Sequence, residues 1–174
     1  LAGGLGLVGP IAVNLAERFH VHAYELRGED DCFSVRTHFG WRELIEDLKE
    51  LLDHLGLERP ILCGVSFGGV LALQFAAAYP HRLGGLIIQG ADVRFQRSLI
   101  RQVAGHVLTG YPLPSNSAFI NQFFNLLIGG RPQNRMLPEF VAAQCWQTDQ
   151  GVIAHRFRLV ERLNLTESLE AIRV

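Results

Sequence analysis

Among the residues able to do chemistry, Ser66 is set apart by its neighbours. It lies in Gly64-Val65-Ser66-Phe67-Gly68, after the short apolar run Pro60–Cys63 and before the apolar, helix-patterned stretch Val70–Ala76. That order reads as strand, tight turn and helix, with Gly64-x-Ser66-x-Gly68 at the corner. A turn this sharp holds the serine in a strained backbone conformation, and glycine on either flank removes Cβ atoms that would clash. The Ser66 Oγ then stands above the carboxyl end of the strand as a candidate nucleophile. The N–H of Phe67 falls at the helix start, where unpaired donors and the helix dipole favour a developing oxyanion. A glycine-rich turn whose serine merely caps the helix would carry the same five residues.

A serine hydroxyl is a poor nucleophile at neutral pH without a positioned proton acceptor. The seven histidines are His20, His22, His38, His54, His81, His106 and His155. His20 and His22 flank an alternating stretch, His54 lies near a helix end, His81 sits in a turn, and His155 falls on a predicted helix. Asp92 follows a strand pattern and is a candidate acid, although a capping or loop role suits such a residue as well. Cys32, Cys63 and Cys145 are odd in number and widely spaced, which suggests neither a disulfide framework nor a zinc site. Cys63, inside a strand pattern, reads as a small buried hydrophobe. No His/Cys cluster calls for a metal, and no cofactor is expected.

The elements that must position Ser66 follow from periodicity. Gly3-Gly4-Leu5-Gly6-Leu7-Val8-Gly9 reads as a glycine-rich loop, with Pro10 at a first helical turn and Ile11–Arg18 as a short helix. His20–Leu26 alternates and reads as a strand. Trp41, Leu44, Ile45, Leu48, Leu51, Leu52 and Leu55 form one stripe at helical spacing, ended by Gly56 as a left-handed cap. The strand before Ser66, the helix stopped by Pro80 and a third strand at Leu86–Ile88 complete a parallel α/β layout. Beyond Asp92 the pattern is helical over Arg94–Leu108, Asn116–Ile128, Pro138–Gln147 and Asp149–Leu163. The breaks fall at Gly110–Pro114 and Gly129–Pro132. Phe119, Ile120, Phe123, Phe124 and Leu127 make an apolar stripe of the kind that packs helices together. The division expected is residues 1–92 as an α/β core and 93–174 as a helical cap.

Composition limits the partners. With 174 residues, 48% hydrophobic and 19% charged, the chain can bury a sizeable core. A net charge of −1 gives no electrostatic reason to expect nucleic acid or an anionic membrane. The expectation is a cytoplasmic protein with a small-molecule substrate, no signal peptide and no spanning segment.

These residues together resemble the α/β-hydrolase fold family over nearly the whole chain. Ala2–Gly6 is similar to the family's His-Gly-Gly-type loop, Tyr24–Gly28 to its Asp-x-Arg-Gly segment, Asp47–Leu57 to the helix before the elbow, and Ala78–Leu83 to the link after it. The resemblance implies Ser66 as nucleophile, with an oxyanion hole formed by the backbone N–H groups of Phe67 and Gly4. Ala2 stands where histidine is common, Glu25 where aspartate is usual, and Asp30 where a second glycine is frequent. The stretch Glu167–Val174 resembles the run preceding the family's seventh strand, after which its acid and then its histidine follow. The resemblance therefore implies a piece in which only the last residues of the third strand remain, around Leu1 and Ala2, and which lacks the acid and base at the other terminus. Such a piece would be inactive on esters, with none of the seven histidines at the family's base position.

Two rival functions fit parts of the chain. Gly4-x-Gly6-x-x-Gly9 followed by a helix, with Glu25 about 20 residues on, fits a dinucleotide-binding fingerprint. A non-catalytic ligand-binding module on the same fold would keep the pocket without the chemistry.

Overall fold

The computed structural model describes residues 2–29, 38–94, 99–110 and 136–172. The elements run α1 (Gly4–Ala16), α2 (Trp41–His54), β1 (Ile61–Val65), α3 (Phe67–Ala78), β2 (Gly85–Gln89), α4 (Leu99–Gly110), α5 (Met136–Cys145) and α6 (Gln150–Glu161). A 3-10 turn follows at Ser168–Ala171. The expected helix at Asn116–Ile128 with its aromatic stripe, the breaks at 111–114 and 129–132, Asp30 and Cys32 lie outside the described residues. The chain forms two compact units, one of His38–Ser98 with Arg156–Val174 and the other of Ala2–Thr37 with Leu99–His155.

The first unit is a β-α-β arrangement. β1 and β2 pair in parallel from Ile61↔Gly85 to Val65↔Gln89, with α3 as the connection. α2 starts where the Glu43 carboxylate accepts the Gly40 N–H at 2.7 Å. It stops at Gly56, whose φ of +66° needs glycine, with Leu57 N–H donating to the Leu52 carbonyl and Gly56 N–H to that of Asp53. Leu44, Leu48 and Leu52 are buried, and α2 packs against α3. Each such leucine contributes about 1.5–3 kcal/mol of burial. α3 also packs on both strands, which explains why it is apolar on nearly every side. Val70 joins Leu163 and Leu165 in a cluster closed by Trp41, Leu73, Ala91 and Val93. Leu165 N–H donates to the Val93 carbonyl at 2.8 Å to hold that returning segment.

Two expectations for strands are revised. Among the described residues two strands form rather than three: His20–Leu26 has no ladder, because no described strand pairs with its N–H and C=O groups. His20 and His22 do share a face, with their rings 4.7 Å apart as next-but-one neighbours. Cys63 is exposed, not buried. It shares a face of the pair with Ile61 and Ile87, which are 61% and 57% exposed, while α3 covers the opposite face.

In the second unit α1 begins at Gly4, seven residues before the expected Ile11. The Glu25 carboxylate accepts the Leu5 N–H at 2.8 Å and so anchors a first turn upstream of Pro10, which sits inside the helix. α1 packs against α5, where Gly6 meets Gln144 so closely that a side chain at Gly6 would displace it. α4, α5 and α6 fall near the expected helical stretches. Arg94, expected in the first of these, instead bridges Asn164. No helix among the described residues is long and apolar enough to cross a membrane.

Candidate active site

Ser66 links the last residue of β1 to the first of α3. Its φ of +51° and ψ of −113° make it the non-glycine residue with positive φ among those described. Such a conformation costs about 1–3 kcal/mol and persists only where the surroundings impose it. Two hydrogen bonds and two close approaches impose it here. Ser66 N–H donates to the Gln89 carbonyl at 2.8 Å, and the Ser66 carbonyl accepts from Val70 N–H at 3.1 Å. A Cβ on Gly64 would lie 2.6 Å from the Gly68 carbonyl oxygen and the Gly69 Cα. One on Gly69 would meet Ala91 Cβ at 2.8 Å.

The glycine that allows this close approach with Gly64 is therefore Gly69. Gly68, expected to share that role, has open space around its Cβ position, because the helix has already turned that position away from the strand. The tandem Gly68-Gly69 was the available signal, and a five-residue motif stops one position short of it.

Ser66 is exposed and its side chain makes no capping hydrogen bond to α3. The serine in this turn is not spent on holding the helix. Phe67 N–H, first in α3, has no acceptor among the described residues. The Phe67 ring is buried, stacks on Trp41 at 4.7 Å, and lies 5.3 Å from the guanidinium carbon of Arg156. Trp41 is itself tied by its indole N–H to the Leu159 carbonyl at 3.3 Å. Arg156 is 2% exposed. An aromatic stack and a cation near the ring each contribute about 0.5–1.5 kcal/mol, which fixes the residue that carries this N–H. Neither Trp41 nor Arg156 had a sequence signal for this role.

Gly4 belongs to the second unit. It follows Gly3, and the two have φ of +42° and +107°. Gly3 N–H donates to Thr148 Oγ1 at 2.9 Å, and Leu5 N–H donates to Glu25. Between these two occupied donors, Gly4 N–H has no acceptor among the described residues. The Glu25 carboxylate also lies 2.8 Å from where a Gly4 Cβ would be, so a side chain there would have to displace it and would be strained at this positive φ.

That carboxylate bears on the dinucleotide reading. A pyrophosphate on the Gly4-x-Gly6-x-x-Gly9 segment would sit at the N-terminus of α1. Glu25 already supplies an anion there, and Gln144 stands against Gly6. Like charge and occupied space both oppose the ligand.

Asp92 is exposed, three residues beyond the end of β2, at the same end of the parallel pair as Ser66. Among the described residues no histidine is hydrogen-bonded to Ser66. Burial pushes the Cys145 thiol up to about 11, so it stays protonated at neutral pH and is no rival nucleophile.

The profile of the alpha/beta hydrolase fold matches residues 1–152. The chain belongs to the alpha/beta hydrolase fold family. A soluble epoxide hydrolase of Corynebacterium sp. strain C12 is 31% identical over 120 residues, covering 68% of this chain and 37% of that enzyme. A hydrolase from Pseudomonas aeruginosa PA01 superposes with a TM-score of 0.77 at 21% identity, covering 98% of this chain and 64% of that one. The enol-lactonase from Burkholderia xenovorans LB400 gives 0.75 at 17%, covering 99% and 66%. The chain spans 14–37% of the length of curated relatives it matches and about two thirds of these solved alpha/beta hydrolases.

Proposed function

We propose that this alpha/beta hydrolase is a serine hydrolase acting on a small, largely apolar ester or related acyl substrate. The observation that carries the reading is the backbone of Ser66: a strained, positive-φ serine whose exposed side chain does no structural work. Ser66 Oγ attacks the acyl carbon. Phe67 N–H is one donor to the oxyanion, and Gly4 N–H is the second by resemblance to the family loop. The proton acceptor is a histidine that the family places after its eighth strand, and the acid follows the seventh, with Asp92 the alternative acid. A cytoplasmic location belongs to the same reading and rests on composition.

A fluorophosphonate probe and a short p-nitrophenyl ester test it in the full-length protein. The expected result is labelling that Ser66→Ala abolishes, with turnover falling by at least about 10³. Full esterase activity in Ser66→Ala would overturn the nucleophile. Saturable ester binding without labelling or turnover would favour a ligand-binding module instead.

A further inference from the structure

In the second unit, Thr148 and Glu29 form a buried relay behind the Gly3-Gly4 turn. Both residues are 5% exposed, and Gly3 is buried as well. Thr148 Oγ1 accepts the Gly3 N–H at 2.9 Å and donates its own hydrogen to Glu29 Oε2, also at 2.9 Å. A hydroxyl with one donor and two acceptor sites fits both bonds at once. The Gly3 N–H can only donate, so the hydroxyl's own hydrogen is left for the Glu29 oxygen, and the two bonds together fix the direction of that hydroxyl.

Each end of the relay is built. Glu29 closes a turn whose N–H donates to the Leu26 carbonyl at 3.0 Å. Gly28 in that turn has φ +87° with Val152 of α6 against it, 2.7 Å from where a Cβ would be. Thr148 precedes Asp149, whose carboxylate accepts the Gly151 N–H at 2.6 Å and caps α6. On the far side of Gly4, Glu25 holds the Leu5 N–H. The residues flanking Gly4 are thus tied by two side chains, Thr148 and Glu25, and Gly4 N–H is the donor left over among the described residues.

We infer that Thr148, oriented by Glu29, is a positioning residue that sets the direction of the Gly4 N–H. The inference rests on the proposed serine-hydrolase reading, in which that N–H meets the oxyanion. Thr148 touches no reacting atom; it acts through Gly3.

Thr148→Val keeps the shape and removes the hydroxyl, while Thr148→Ser keeps the hydroxyl. The full-length protein is assayed on the p-nitrophenyl ester, alongside amide exchange at Gly3. The expected result for Thr148→Val is a kcat lower by about 10- to 100-fold, since small misplacement of a reacting group costs up to about that much, with KM within about twofold. Gly3 exchange should accelerate by about tenfold or more, and Thr148→Ser should restore both. Where Thr148→Val does not fold, Glu29→Gln decides. Its neutral acceptor weakens the relay, and kcat should fall by a few fold with KM held. Unchanged kcat in folded Thr148→Val, or in Glu29→Gln when that variant decides, overturns the inference while Ser66→Ala still abolishes turnover. Turnover that survives Ser66→Ala overturns the serine-hydrolase reading itself. Exchange at Gly3 then stands as the separate measure, and unchanged exchange in Thr148→Val overturns the relay.

Discussion

At the elbow, Ser66 keeps its φ of +51° because backbone surrounds it: the Gln89 carbonyl, the first turn of α3, and the approach of Gly64 to Gly69. At the glycine turn, Gly3 and Gly4 keep theirs because side chains hold the adjoining N–H groups, Thr148 on one side and Glu25 on the other. Steric constraint from backbone is all-or-none, since atoms 2.6 Å apart cannot be accommodated by rotating a side chain. Constraint from hydrogen bonds is graded, each worth about 0.5–3 kcal/mol depending on charge. The first region should therefore fail abruptly under substitution and the second should lose function in steps.

Gly64→Val is the most severe test of the elbow side. Its side chain would enter backbone atoms of α3 that have nowhere to move, beyond the about 1–3 kcal/mol of ordinary overpacking. Loss of soluble protein or of fluorophosphonate labelling is expected; a native melt with native labelling would remove the steric account.

Glu25→Ala probes the other side and should be milder. It removes a charged acceptor from the first turn of α1, costing about 1–2 kcal/mol in a chemical melt. Labelling of Ser66 should persist at a reduced rate. A collapse as complete as that of Gly64→Val would show that the glycine turn is held sterically after all.

Gly68→Ala sharpens the contrast within the elbow itself. With open space at its Cβ position, alanine should be tolerated and stabilise α3 by up to about 1 kcal/mol. A destabilised variant would mean that the close approach extends one residue further than Gly69.

How much of this was legible beforehand follows from the same contrast. The elbow is local: β1, Ser66 and α3 are consecutive, and Gly64-x-Ser66-x-Gly68 placed them correctly. α2 was legible for a similar reason, since its leucine stripe and Gly56 stop lie within one continuous stretch. Local sequence reads the glycine turn as part of a loop through Gly9, because its anchor, Glu25, is 20 residues away. Thr148 is 145 residues from Gly3, and no spacing rule reaches that far. His20–Leu26 shows the converse. Alternation marks a face, but a strand also needs a neighbour, and pairing is a tertiary property.

The smallest expected effect concerns a surface ion cluster that neither region depends on. A hydrogen bond from Lys49 at 2.8 Å, with Arg82 at 2.7 Å, holds the Asp53 carboxyl below its ordinary value of 3.8. A depressed carboxylate contributes stability above its unfolded value and loses it as pH falls through the lower folded value. Asp53→Asn should therefore lower Tm slightly above pH 3.8, and the gap should close in more acid solution. Added salt should shrink it at neutral pH, because the groups are exposed. A gap that widens in acid would reverse the assignment.

The two tryptophans of the chain fall one in each compact unit: Trp41, stacked on Phe67, and Trp146, two residues before Thr148. Each is a built-in optical reporter of its own half of the fold. With Trp146→Phe the emission follows the elbow unit alone, and with Trp41→Phe it follows the glycine-turn unit. Overlaid denaturation curves would then separate one cooperative transition from two. The energetic coupling between the halves would thus become a fluorescence measurement that needs no extrinsic dye.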